Sequence, residues 1–353
     1  MNTVTSSDIK AIDLFCGVGG LTHGLVRGGV NVVAGIDVDG LCRYPYEENN
    51  APAVFMERDI KDYPGASISK LLRNARFTLL SGCAPCQPFS TYSRSSRKQK
   101  SNLDWELISS FARIIQEVQP HFVTMENVPQ VKGHPVFQEF LKALNGYHVE
   151  WSILNCSRIG IPQTRKRLVL LASKLGPEGL SLPTSMESPP TVHDTISCLP
   201  QLEAGNVDES DSLHVACRLS ELNLERIRAS RPGGTWRDWN PSLRAKCHRK
   251  NTGGTFPSVY GRMEWNKPAP TITTQCFGYG NGRFGHPEQD RAITLREAAM
   301  LQTFPRGYQF VKKGEQIRIS TLGRLIGNAV PVKLGEAIAE TFLKHAHLMD
   351  QAH

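Results

Sequence analysis

No apolar stretch in this chain is long enough to span a bilayer, so no membrane-crossing helix is expected. Met1 to Lys10 lack a basic start followed by an apolar core, so no secretory signal is expected and the cytoplasm is the expected location. The nine cysteines are odd in number and show no framework spacing, which excludes a disulfide scaffold and suits reduced thiols. Cys83-Ala84-Pro85-Cys86 has no second CxxC and no histidine pair at ligand spacing to accompany it, so no metal is expected. Internal repeats and low-complexity tracts are lacking too, which sets aside solenoids and arrays. What remains is a chain of 353 residues with ordinary globular composition, a length that suggests two domains. Its net charge of +8 favours a polyanionic partner, although a moderately basic enzyme of any kind fits the same number.

Strands and helices alternate through the first half. Ala11 to Phe15 reads as a strand, Cys16-Gly17-Val18-Gly19-Gly20 as a tight turn, Leu21 to Arg27 as a helix and Val32 to Ile36 as a second strand closing on Asp37. The spacing from Gly17 to Asp37 is that of a nucleotide-type βαβ unit. There the glycines admit a ligand to the backbone and the acid takes ribose hydroxyls. The turn departs from the dinucleotide pattern, so pyrophosphate is not implied. Val54 to Met56 reads as a third strand ending near Asp59 and Ile60, which suit the amino group and ring of an adenine; a helix cap is the plainer role for Asp59. Phe77 to Ser81, His121 to Met125, His148 to Leu154 and Leu168 to Ala172 read as further strands, with helices over Trp105 to Val118 and Phe137 to Leu144. This alternation predicts an α/β class with a doubly wound, mainly parallel sheet.

The texture changes after Lys174. Pro, Gly and Ser become dense, and charge segregates: Arg226, Arg228, Arg231, Arg237, Arg244, Lys246, Arg249 and Lys250 face the single acid Asp238. That stretch reads either as a loop-rich module offering cations to a phosphate backbone, or as a solvated surface around two core tryptophans, Trp236 and Trp239. Helical period returns over Ala292 to Gln302 and Lys333 to His345.

The chain is organised around Ser81 to Ser90. Gly82 and Pro85 stop the strand before them, so Cys86 stands at the carboxyl end of a parallel strand, where open α/β sheets hold ligands. Ser90 to Ser101, polar and basic, reads as a loop beside a nucleophile. A redox pair with Cys83 is one reading, but such a pair normally opens a helix, and here Pro88 follows. A thiolate nucleophile is another, and it needs an acid partner and cations. Glu126 ends the next strand and Arg165 and Arg167 flank the following turn, so the four side chains suit one site.

Pro85-Cys86-Gln87, Glu126-Asn127-Val128 and Gln163-x-Arg165-x-Arg167, in that order, resemble the cytosine-5 DNA methyltransferase family. So do Asp13-Leu14-Phe15-x-Gly17-x-Gly19-Gly20, Arg296-Glu297-Ala298-Ala299-x-Leu301-Gln302-x-Phe304-Pro305 and Gly327-Asn328-Ala329-Val330-Pro331. Pro268 to Thr274 resembles the threonine-rich segment that closes the family's target-recognition region. The resemblance covers nearly the whole chain. It departs at Cys83 and Ala84, where the family usually has glycine or phenylalanine and then proline, and at Asp37, where many relatives have glutamate.

The resemblance implies the S-adenosylmethionine-dependent methyltransferase fold, with a catalytic and cofactor domain over 1–174, a target-recognition domain over 175–305 and a return to the first domain over 306–353. It implies that Cys86 adds to C6 of a cytosine, that Glu126 hydrogen-bonds or protonates N3, and that C5 then takes a methyl group from S-adenosylmethionine, leaving S-adenosylhomocysteine. By the same resemblance Arg167 contacts O2 of the base and Arg165 supports it. Phe15, Gly17, Gly19, Asp37, Val38, Asp59, Ile60, Pro85, Leu107, Asn328 and Ala329 would hold the cofactor. A base in a duplex is out of reach, so the cytosine is expected to be flipped out of double-stranded DNA. The tRNA-acting branch of the same fold is the nearest alternative. A non-catalytic DNA-binding relative is another, opposed by the intact Cys86, Glu126, Arg165 and Arg167. The compact length suggests a prokaryotic monomer working alongside an independently acting restriction endonuclease.

Overall fold

A computed structural model of the chain describes residues 8–85, 103–182, 188–250, 254 and 256–351. The first unit is built on alternating elements: β1 (Ile9–Leu14), α1 (Gly20–Arg27), β2 (Asn31–Asp37), α2 (Arg43–Asn50), β3 (Val54–Glu57), α3 (Gly65–Leu71), β4 (Phe77–Gly82), α4 (Leu103–Val118), β5 (Phe122–Asn127), α5 (Pro135–Ala143), β6 (His148–Asn155) and β7 (Lys166–Ser173). The seven strands form one sheet in the order β3-β2-β1-β4-β5-β7-β6. All neighbours are parallel except β7, which runs antiparallel to both β5 and β6. The expected mainly parallel, doubly wound class is therefore what the chain adopts. The order reverses at β1, with β2 and β4 on either side, and this is where open α/β sheets leave a crevice at their carboxyl ends.

Every residue of β5 is buried, as expected of a central strand covered on both faces. Val123 and Met125 join a hydrophobic cluster with Phe111 of α4 and Phe140 of α5. Phe122 points the other way and stacks on Phe342, ring centroids 5.0 Å apart. Phe342 lies on the last helix, which the expected range of Lys333 to His345 underestimates at its end.

The second unit has little regular structure: α6 (Val192–Ile196), α7 (Glu221–Arg228), α8 (Leu295–Leu301) and α9 (Ile319–Asn328), joined by loops and single 3-10 turns; α10 (Val332–Gln351) then returns to the first unit. Thr294 caps α8 in a reciprocal bond pair with Glu297, which is why the helix starts later than its apolar period suggests. By compactness one unit holds Met1–Ile159, Lys166–Ser185 and Val330–His353, and the other Gly160–Arg165 and Met186–Ala329. These crossings differ from the expected boundaries at 174 and 305. Residues 160–165 join the second unit because Ala269 N bonds Pro162 O at 2.8 Å and Thr164 N bonds Ala269 O at 2.9 Å. The return waits until Val330 because α9 packs on α8.

α2 carries no apolar period, and Pro45, Asn49 and Asn50 would each discourage a helix. Its anchor is Tyr46, fully buried over Gly35 of β2, where a β-carbon would stand 2.4 Å from the ring. Asn50 ties the helix end back through its Nδ2 to the Tyr46 carbonyl at 2.7 Å.

Candidate active site

Gly82 ends β4 where a side chain would be crowded: a β-carbon would meet Phe111 at 3.0 Å and the Leu14 carbonyl at 3.2 Å. The chain then turns, and Cys83 N donates to Leu14 O at 3.4 Å. Across the sheet β5 ends in Glu126 and Asn127, 2% and 1% exposed. Asn127 Nδ2 donates to the Ala84 carbonyl at 3.2 Å, and its Oδ1 accepts from Val128 N at 2.8 Å. Cys83 Sγ donates to Glu126 Oε2 at 2.7 Å. Arg167 stands two residues before Val169, the register partner of Glu126, so both β7 side chains lie on one face. Its Nε reaches Glu126 Oε1 at 2.7 Å, a close ion pair whose angle falls short of a directed hydrogen bond. The result is a buried carboxylate held on both oxygens. Such a group can give or accept a proton at a base edge without solvent competing. Pro85 is exposed at the rim of this turn. Cys86 and the loop Ser90 to Ser101 lie outside the described residues.

A second group of candidate residues gathers at the ends of β1 and β2. Phe15, Gly17 and Gly19 all take positive φ, at 59°, 51° and 86°. For phenylalanine this is a strained backbone, worth on the order of 1–3 kcal/mol, and it turns the ring toward Phe111 at 6.4 Å. Asp37 clasps the turn: its Oδ2 accepts from Gly17 N and its Oδ1 from Asp39 N, each at 2.9 Å. Burial raises the Asp37 carboxyl above its ordinary value, and these N–H groups oppose the rise. Val38 beside it is 69% exposed, and so is Leu41 at 59%, a residue that sequence reasoning passed over. Among the described residues, no atom beyond its chain neighbours lies within 4 Å of the place a Gly17 β-carbon would take. An open glycine turn, an exposed apolar pair and a carboxylate with lone pairs to spare suit a nucleoside with a hydroxylated sugar. Asp59 is exposed, and its Oδ1 accepts from Lys61 N at 2.9 Å, closing a local turn rather than capping a helix, since the next helix is capped at Pro64. Ile60 is buried in the central cluster, and Leu107 packs partly buried against it.

Within the second unit, four stretches quoted for their pattern meet on two glutamines. Gln163 Nε2 donates to Leu301 O at 2.7 Å and to Gln302 Oε1 at 2.8 Å, while its Oε1 accepts from Ile272 N at 2.9 Å. Gln302 Nε2 in turn donates to Ile326 O and Ala329 O. Gly327 lies so close to Thr273 that a β-carbon would stand 2.4 Å from its backbone. Arg165, 3% exposed, reaches toward the Ile272 and Ala329 carbonyls at 3.4 and 3.5 Å. Thus Arg165 and Arg167, adjacent in pattern, belong to different compact units. Asn328 is exposed at the end of α9 and Ala329 follows it.

The basic stretch is less uniformly presented than its composition implies. Arg226 is 9% exposed, bonds Leu243 O and Asn223 Oδ1, and lies over the Trp239 and Tyr260 rings. Arg237, Arg244 and Arg249 donate to main-chain carbonyls of the same loop. Trp236 and Trp239 are core residues, 4% and 3% exposed. Lys246 and Lys250 are exposed.

The sheet order, with its antiparallel β7, and a carboxylate at the end of β5 fit the α/β methyltransferase fold. A DNA-modification methyltransferase candidate encoded within an E. coli prophage superposes with a TM-score of 0.74 at 22% identity, covering 95% of this chain and 99% of that one. The family model for C-5 cytosine-specific DNA methylases matches residues 9–344, so the chain belongs to that family and is an enzyme, a DNA cytosine-5 methyltransferase. The type II methylase M.HgiDII of Herpetosiphon aurantiacus is 52% identical over 345 residues, 95% of this chain and 96% of the relative. The type II methyltransferase M1.HphI of Haemophilus parahaemolyticus is 30% identical, over 94% of this chain and 86% of its own length. Among the described residues, no helix is long and apolar enough to cross a membrane.

Proposed function

We propose that this enzyme methylates C5 of a cytosine flipped out of a specific double-stranded DNA sequence, through a covalent adduct between Cys86 and C6. Cytosine C5 is a poor nucleophile until a bond forms at C6. The Cys86 thiolate supplies that bond, and Glu126 at N3 takes up the charge that would otherwise build on the ring. Arg167 contacts O2 and keeps the Glu126 carboxylate in place, with Arg165 in support. S-adenosylmethionine supplies the methyl group. Phe15, Gly17, Gly19, Asp37 and Val38 orient it, with Asp59, Ile60, Pro85, Leu107, Asn328 and Ala329 completing its pocket. Loss of the C5 proton and of the Cys86 bond releases the product. The first unit is the catalytic one, and the second recognises the target. The enzyme works in the cytoplasm as a monomer, beside a restriction endonuclease that acts independently.

The observation that carries this reading is the buried Glu126 carboxylate, ion-paired to Arg167 and joined to the turn that leads to Cys86. The test offers plasmid DNA and total tRNA separately to the enzyme with radiolabelled S-adenosylmethionine, with Cys86→Ser beside it. Label on DNA that vanishes in the variant is expected. Label on tRNA alone would overturn the substrate and keep the chemistry.

A further inference from the structure

The resemblance gives Cys83 no role, and Cys83 stands where the pattern departs from the family. Yet it is the side chain that meets Glu126 Oε2, at 2.7 Å. With Arg167 on Oε1, the buried carboxylate is gripped from two elements, β7 on one oxygen and the turn after β4 on the other. The backbone of that turn is fixed as well. Cys83 N reaches the Leu14 carbonyl, and Asn127, the residue after Glu126, holds the Ala84 carbonyl. The thiol thus couples the carboxylate to the segment that continues into Cys86.

We propose that Cys83 is a positioning residue for the methyl-transfer reaction, its thiol donating to Glu126 and fixing the carboxylate's orientation against the turn after β4. The inference rests on the reading of Glu126 as the carboxyl that meets the base. A thiol suits this place because S–H is a weak donor. It orients the free carboxylate and yields to the stronger N–H donor that a protonated cytosine N3 presents. A hydroxyl would orient the carboxylate in the same way, and an apolar side chain would leave it to swing about the Arg167 contact.

The experiment compares the wild-type enzyme with Cys83→Ala, Cys83→Ser and Glu126→Gln, using plasmid DNA and labelled S-adenosylmethionine. Cys83→Ala is expected to lower kcat about tenfold, the scale of a hydrogen bond to a charged group, with KM for DNA and for the methyl donor unchanged. Cys83→Ser is expected to restore most of that loss. A second readout does not depend on turnover. The S–H stretch of Cys83, isolated as the infrared difference between wild type and Cys83→Ser, is expected to move to higher frequency in the Glu126→Gln background. An unchanged kcat in Cys83→Ala, no rescue by serine, or an unmoved S–H band would each overturn the proposal. If Cys83→Ala does not fold, the band comparison decides alone. If Glu126→Gln keeps full activity, the reading of Glu126 itself fails, an outcome separate from all of these.

Discussion

Arg167 Nε lies 2.7 Å from Glu126 Oε1, with 14% and 2% of the two side chains exposed, so two antiparallel strands are joined by a charge pair that water barely reaches. Removing one partner of a buried pair leaves the other uncompensated, at about 3–5 kcal/mol. Glu126→Gln keeps the volume and removes the charge. It is expected to slow single-turnover methyl transfer by about 10²–10⁴ and to lower the urea midpoint. A variant with the wild-type rate would end the catalytic assignment.

Asp37 is bound by two backbone N–H groups, from Gly17 and Asp39. Asparagine offers one oxygen and turns an NH₂ toward the other donor, so Asp37→Asn leaves one N–H facing a like group, at about 1–3 kcal/mol. Calorimetry is expected to show S-adenosylmethionine binding weakened about tenfold or more. An unchanged dissociation constant would remove Asp37 from the cofactor site.

Asp13 is 1% exposed and accepts from Thr22 Oγ1 and Ser81 Oγ. Burial pushes its carboxyl from 3.8 up to about 7, with the hydrogen bonds from Thr22 and Ser81 opposing and the nearby Asp37 charge adding. Between these values the native chain keeps a proton that the unfolded chain has released. The Asp13 contribution to stability is therefore whole below 3.8 and is lost as pH rises toward about 7. Its slope is at most about 1.4 kcal/mol per pH unit. Asp13→Asn is expected to flatten the fall in unfolding free energy between about pH 5 and about pH 7. An equal slope in both proteins would refute this.

Helices α1 and α10 meet at Gly24 and Gly335. A β-carbon on Gly24 would stand 2.1 Å from Val332 O and 2.7 Å from Gly335 Cα, both rigid backbone atoms. Gly24→Ala is expected to cost about 1–3 kcal/mol or more in denaturant unfolding. Gly133→Ala, where no described atom beyond the chain neighbours lies within 4 Å, is the control and should be near neutral. Equal midpoints for the two variants would contradict the close crossing.

The cations of 226–250 are expected to separate into two kinds. Arg226→Ala removes a guanidinium that joins Leu243, Asn223 and two aromatic rings, and should lower the melting temperature. Lys246→Ala with Lys250→Ala should leave melting alone and weaken DNA binding evenly across sequences. Each lost phosphate contact should reduce the slope of log affinity against log salt by about 0.9. A salt slope unchanged in the double variant would place the phosphate contacts elsewhere.

The alternation of strand and helix, the glycine turn with its acid, and the carboxylate at the end of β5 were legible in the sequence, because each is set by short-range pattern: apolar period, glycine, and the position where a strand stops. α2 was not legible. Its sequence opposes a helix, and only the burial of Tyr46 over Gly35 outweighs that opposition. Composition marked 226–250 as basic but could not tell Arg226, buried under tryptophan and tyrosine, from exposed Lys246. Gln163 and Gln302 read as motif letters, and their joint hold on Ile272, Leu301, Ile326 and Ala329 emerged only in three dimensions. Cys83 read as half of a CxxC, and folding sets it against Glu126. Local chemistry thus determined which elements exist and which residue types stand at their ends. Contacts between residues far apart in the chain decided which of those side chains meet, because hydrogen bonds and burial depend on distance in space.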